Sequence, residues 1–151
     1  KEIIMNIAVT GASGHLGRLV VESLKTKTAT SNIIALVRTP SKAKDLGVEV
    51  IYSIDEAIQE NDVLNILRIQ LERKAREYFP SIREYAKYFG ITQERLDKNG
   101  KDILILHPGP INRGVELSSE VADGSNQIIL YQVTNGVAIR MAVLYLLGTL
   151  N

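Results

Sequence analysis

The sequence predicts a single α/β domain of three layers, α/β/α, with helices on both faces of a doubly wound parallel sheet ordered 3-2-1-4-5. Three observations predict it. An apolar run enters a glycine turn and leaves it with helical spacing within residues 3–24. Further short apolar runs alternate with helical segments, the pattern of βαβ units. Those runs are apolar throughout, as strands covered on both faces are. At 151 residues the chain suffices for one domain with a proper core and is too short for two.

Each element has its own signal. Ile3 to Val9 is the first strand, and His15 to Lys25 the first helix, with Leu16, Leu19, Val20 and Leu24 along one face. Asn32 to Arg38 is the second strand and Val48 to Tyr52 the third. A short helix, Ile54 to Glu60, follows with Asp55 as its expected N-cap. Asp62 to Arg68 is the fourth strand. The polar helical region Leu71 to Lys98 breaks at Pro80, and Ser81 is placed to cap the next helix. Asp102 to His107 is the fifth strand, stopped by Pro108-Gly109-Pro110. The last helix, Val137 to Leu150, carries Val137, Met141, Leu144 and Tyr145 as a stripe expected to pack on the sheet.

The glycine turn, V-T-G-A-S-G-H-L-G, has the order a dinucleotide phosphate site requires. Gly11 turns the chain off the strand, Gly14 admits a pyrophosphate to the backbone, and Gly17 lets the helix approach the sheet. Amides at the helix start would hold the anion, with Ser13, His15 and Leu16 around it. Arg38 ends the second strand where an acid would select NAD. With Lys42 four residues on, it points to NADP. The alternative is that the glycines only shape a turn and Arg38 caps a strand end in solvent.

The net charge of +1 argues against a nucleic-acid surface. Absence of cysteine removes disulfides, thiolate metal sites and a cysteine nucleophile, and fits a reducing, cytoplasmic setting. The most apolar run, near Val137 to Leu150, contains Arg140 and reads as too short to span a bilayer. No signal peptide is visible at Lys1-Glu2. A reductase Tyr-x-x-x-Lys pair is missing near Tyr78, Tyr85 and Tyr88; Lys87 lies two residues from Tyr85, on another helix face.

Two resemblances emerge from these residues. Met5 to about Tyr52, from M-N-I-A-V-T-G-A-S-G-H-L-G through A-L-V-R-T-P-S-K, resembles the NmrA-like, atypical short-chain dehydrogenase/reductases, in particular the NAD(P)H-dependent quinone oxidoreductases. It implies NADPH on Gly11, Gly14, Gly17 and Arg38, with Met5 as that family's first residue. The blocks D-V-L-N-I-L-R-I-Q-L-E-R, H-P-G-P-I-N-R-G-V-E and Q-V-T-N-G-V-A-I-R-M-A, from about Gly47 to Gly148, resemble the C-terminal part of aspartate carbamoyltransferase catalytic chains. This implies that Arg68 and Gln70 derive from aspartate contacts. It also implies that His107, Pro108, Gly109 and Pro110 once faced carbamoyl phosphate and aspartate, with a cis bond before Pro110.

Together the two imply a chimera joined near residues 46–50, its halves being residues 1–50 and 47–151 of one Rossmann-like domain. Engineering is the economical origin and natural recombination the alternative. The resulting expectation is a non-enzymatic monomer or weak dimer, without a complete active site, binding at most NADP(H) weakly. The alternative is a carbamoyltransferase domain that retains weak aspartate or phosphate binding. A true quinone reductase would need pockets that the sequence does not supply. No nucleic-acid or membrane partner is expected.

Overall fold

The computed structural model describes residues 5–69 and 81–149. Strands β1 (Ile7–Thr10), β2 (Ile33–Leu36), β3 (Glu49–Ile51), β4 (Val63–Asn65) and β5 (Leu104–Leu106) form one parallel sheet. Its order is β3-β2-β1-β4-β5, as the sequence predicts. The helices are α1 (His15–Lys25), α2 (Ile54–Glu60), α3 (Ile82–Phe89), α4 (Gln93–Asn99), α5 (Ser119–Ala122) and α6 (Ile129–Gly148).

Strand alternation divides the core between the two faces. Ala8, Ile34, Leu36 and Leu64 join Ile54, Ala57 and Ile58 of α2 on one side. Val9, Ile33 and Ala35 join Val21 of α1 on the other. Both faces are covered, which is why the strands are apolar at every position rather than every second one. Each fully buried aliphatic side chain, such as Ile33 or Leu64, contributes roughly 1.5–3 kcal/mol.

The strand starts are tied by one acid. Asp62 Oδ2 accepts from the Asn6 amide at 2.9 Å, and Lys101 Nζ lies 2.9 Å from Oδ1. The Asn6 amide, then Lys101, hold this carboxyl below the usual carboxylate range.

Local expectations are corrected at several points. The cap of α2 is Ser53, whose hydroxyl accepts from the Glu56 amide at 3.3 Å; Asp55 sits in the first turn. Ser81 caps α3 as expected, accepting from the Glu84 amide at 3.1 Å. The strands are shorter than their apolar runs, because burial continues past the last ladder pair at Val37 and Ile66. Residues 1–4 and 71–80 lie outside the described residues, so the extended first strand and the start of the polar helical region do too.

The last helix differs most. It begins at Ile129, eight residues before the expected start, and runs for 20 residues. By length and composition it is long and apolar enough to cross a membrane, with a mean hydropathy of 1.3. The expectation of a run too short to do so is therefore corrected. The expected packing stripe is also overturned: Val137, Met141, Leu144 and Tyr145 are all exposed. The physical reason is that apolar residues surround the helix, so no face is distinguished, and among the described residues its main contact with another element is with β5.

Candidate functional site

In an open parallel sheet, loops at the carboxyl ends of the strands converge, and the reversal of strand order opens a crevice there. Here the reversal falls between β1 and β4. Two loops meet that edge, one after β1 and one after β5. Thr10 joins the first to the chain leaving β4, its hydroxyl accepting from the Leu67 amide at 2.8 Å.

The glycine loop is closed on itself. Gly11 has φ of +60°, and the Gly14 amide donates to the Gly11 carbonyl at 2.9 Å. That amide is one a pyrophosphate would need. Gly17 is buried, and a Cβ on it would lie 2.7 Å from Ala12 Cα, so close packing of α1 requires glycine here. His15 and Leu16 are exposed, and Ser13 uses its carbonyl to accept from Arg18 Nε at 3.3 Å. The Lys42 carbonyl accepts from Arg18 Nη2 at 2.6 Å. Arg38, beyond β2, acts electrostatically on Tyr85 of α3. Turn closure and helix packing thus account for the glycine pattern.

The loop after β5 is built differently, around buried polar side chains. His107 is fully buried and Glu116 is 1% exposed. Gly109, with φ of +68°, donates its amide to His107 Nδ1 at 2.9 Å. An Nδ1 that accepts places the proton of a neutral imidazole on Nε2. Nε2 approaches Glu116 Oε1 to 3.5 Å without completing a hydrogen bond. Glu116 Oε1 accepts from the Asn112 amide at 2.6 Å, and Oε2 from Asn112 Nδ2 at 3.2 Å. Asn112 Nδ2 also donates to the Ile69 carbonyl at 2.9 Å, tying this loop to the chain that leaves β4. The Gly109–Pro110 bond is cis, as the second resemblance implied.

Arg68 is half-buried on that same segment, whereas Gln70 lies outside the described residues. Pro108 and Gly109 are half-buried and Pro110 exposed, so the loop presents backbone to the crevice. Asn65, last in β4, is buried, and its Oδ1 has no hydrogen-bond partner among the described residues. Orphaned buried polar atoms at two adjacent strand ends, His107 Nε2 and Asn65 Oδ1, mark a place suited to a polar ligand or water.

Glu116, Asn112 and Tyr85 had no assigned role in the sequence. Glu116 carried a usable signal, being a lone acid between Val115 and Leu117, where an apolar residue would be ordinary. Tyr85 was considered only as a reductase acid. Its phenol is pushed up to about 12, mainly by burial and next by Glu116, with Arg38 opposing. A cleft of about 380 Å³ lined by Gln93, Asp97, Lys101 and Asn126 lies by the start of β5, away from both loops.

Comparison with known proteins assigns this architecture to one family. The family model described as aspartate/ornithine carbamoyltransferase, Asp/Orn binding domain, matches residues 18–147. The aspartate carbamoyltransferase catalytic subunit of Cytophaga hutchinsonii is 49% identical over 151 residues, covering 91% of this chain and 49% of that protein. The Gemmatimonas aurantiaca catalytic subunit is 57% identical over 109 residues, covering 72% of this chain and 34% of its own length. The chain thus spans about half the length of the relatives it matches, or less. Among solved structures, aspartate transcarbamoylase from Trypanosoma cruzi with N-(phosphonacetyl)-L-aspartic acid has a TM-score of 0.63 at 25% identity, over 93% of this chain and 48% of that one. Ornithine carbamoyltransferase from Pyrococcus furiosus, at 17% identity, shares the fold with a TM-score of 0.68 over 97% of this chain and 50% of its own.

These findings correct the reading of the first half. The family match begins at residue 18, inside α1, and continues through the expected join at residues 46–50. An NmrA-like segment, a chimera, and NADP(H) binding as the protein's function are therefore not supported. The glycine spacing suggested them because a tight strand-to-helix turn makes the same demands on the backbone with or without a phosphate. The expectation of a protein outside the enzymes is likewise overturned, since the relatives are named as catalytic subunits. The chain belongs to the aspartate/ornithine carbamoyltransferase family, as its Asp/Orn binding domain.

Proposed function

We propose that the chain is the aspartate-binding half of an aspartate carbamoyltransferase. The observation that carries this reading is the clamped loop after β5. Glu116, Asn112 and His107 hold its backbone at the sheet edge and link it to the segment bearing Arg68. An arginine on that segment supplies the charge a dicarboxylate amino acid needs, and the loop offers backbone groups to the reacting end. In the complete protein the neutral aspartate amine would form a C–N bond to the carbamoyl carbon as the C–O bond to phosphate breaks, its displaced N–H proton passing to the departing phosphate. Residues for the phosphate would come from the part of the protein beyond this domain. Names of the relatives favour aspartate over ornithine, although the family model covers both.

Calorimetric titration with L-aspartate and L-ornithine tests the reading. Saturable aspartate binding that Arg68→Ala weakens by about 10- to 100-fold is expected, the loss of one charge-assisted contact. Preference for ornithine, or aspartate binding indifferent to Arg68→Ala, would overturn it.

A further inference from the structure

Arg68 stands just beyond the end of β4, and β4 lies between β1 and β5 in the sheet. The two residues that flank Arg68 are each held by a side chain from one of those neighbours. Leu67, before it, donates its amide to the hydroxyl of Thr10, the last residue of β1, at 2.8 Å. Ile69, after it, accepts at its carbonyl from Asn112 Nδ2, in the loop after β5, at 2.9 Å. Asn112 is itself fixed by the buried Glu116, which accepts from its amide at 2.6 Å and from its Nδ2 at 3.2 Å. Strand formation does not ask for the Thr10 hydroxyl, because valine has the same shape and suits a strand as well.

We propose that Thr10 and Asn112 are positioning residues that together aim Arg68 at a carboxylate of its ligand. The inference rests on the aspartate-binding reading of this edge. An arginine side chain has several rotatable bonds, so the place its guanidinium can reach depends first on where the main chain holds its Cα. Two tethers, one on each flanking residue and from opposite sides of β4, fix that point. A binding group displaced by about 1 Å loses much of its effect, which is why such groups are held by a supporting layer of hydrogen bonds. Neither tethering residue has to touch the ligand to act. The strand that leads into the glycine turn thus contributes to the site without binding an anion.

Calorimetry of the whole chain with L-aspartate tests it, together with the Arg68 Nε–H signal in heteronuclear NMR spectra taken without ligand. Thr10→Val and Asn112→Ala should each weaken aspartate binding by about 3- to 10-fold, the loss of one neutral hydrogen bond. Each should also shift or broaden the Arg68 Nε–H signal. Thr10→Ser, which retains the hydroxyl, should keep the affinity and the signal of the parent chain. In an Arg68→Ala background both substitutions should leave the residual affinity unchanged, because they act through that side chain. Equal losses with and without Arg68, or a Thr10→Val chain indistinguishable from the parent, would overturn the proposal. If Asn112→Ala unfolds the chain, as its thermal transition would show, the Thr10 pair decides alone. A parent chain that binds no aspartate would overturn the aspartate reading instead. The Nε–H signal then judges the positioning, and a signal indifferent to both substitutions overturns it.

Discussion

The loops after β1 and after β5 stand at the same edge of the sheet and are made by opposite means. The first is ordered by what its residues lack: Gly11 takes a positive φ, and Gly17 has no Cβ to meet Ala12. The second is ordered by buried side chains, His107 and Glu116, whose polar atoms find partners in Asn112 and Gly109. Glycine spacing therefore reports backbone geometry, which many functions share. Buried polar side chains carry a desolvation penalty unless paired, so their placement says more about what the edge is for.

Substitutions can break this contrast, and the largest effect is expected in the glycine loop. Gly17→Ala should lower unfolding stability by about 3 kcal/mol, because the new methyl meets main chain that cannot yield. Denaturant titration would show it, and a loss under 1 kcal/mol would mean that α1 can move outward. Next, Glu116→Ala should lower stability by about 2 kcal/mol by leaving the Asn112 amide and its side-chain Nδ2 without their Glu116 acceptors. Glu116→Gln should recover part of that, since Oε1 remains to accept while Oε2 is lost. Gly14→Ala should be milder, about 1 kcal/mol, because its Cβ would stand 3.2 Å from a single atom, the Gly11 carbonyl oxygen.

Two pH experiments sharpen the comparison with smaller effects. Tyr85 keeps its proton in the folded protein to about pH 12, against 10.0 ordinarily. Its contribution to stability is thus full below pH 10.0 and is lost as pH rises through about 12. Absorbance at 295 nm should show a late tyrosine step that Tyr85→Phe removes. Asp62 behaves in the opposite sense, with its folded value held below the ordinary 3.8. Its contribution is full above that value and is lost as pH falls through the depressed one. Acid titration of Asp62→Asn should therefore show a flatter low-pH limb than the parent chain.

Legibility followed the range of the interactions. Sheet order was readable because alternating apolar strands and helices, with right-handed crossovers, leave few arrangements open. The Ser81 cap was readable because an N-cap acts over three residues. The α2 cap was misplaced by two residues because Ser53 and Asp55 can both serve, and strand register chooses between them. The electrostatic effect of Arg38 on Tyr85 was not readable, because Tyr85 comes from α3, dozens of residues away. Gln70 lies outside the described residues.

The sequence by itself determined the class of fold, the strand order and the burial of both sheet faces, since these follow from periodicity and local turn chemistry. The blocks around Arg68 and His107 also carried the family likeness. Only the tertiary structure decided that the Gly14 amide is used within its own turn, that Glu116 is buried beneath the β5 loop, and that α6 leaves the body with apolar side chains on every side. Each depends on what packs against a residue from far along the chain, and burial of that kind has no period to read.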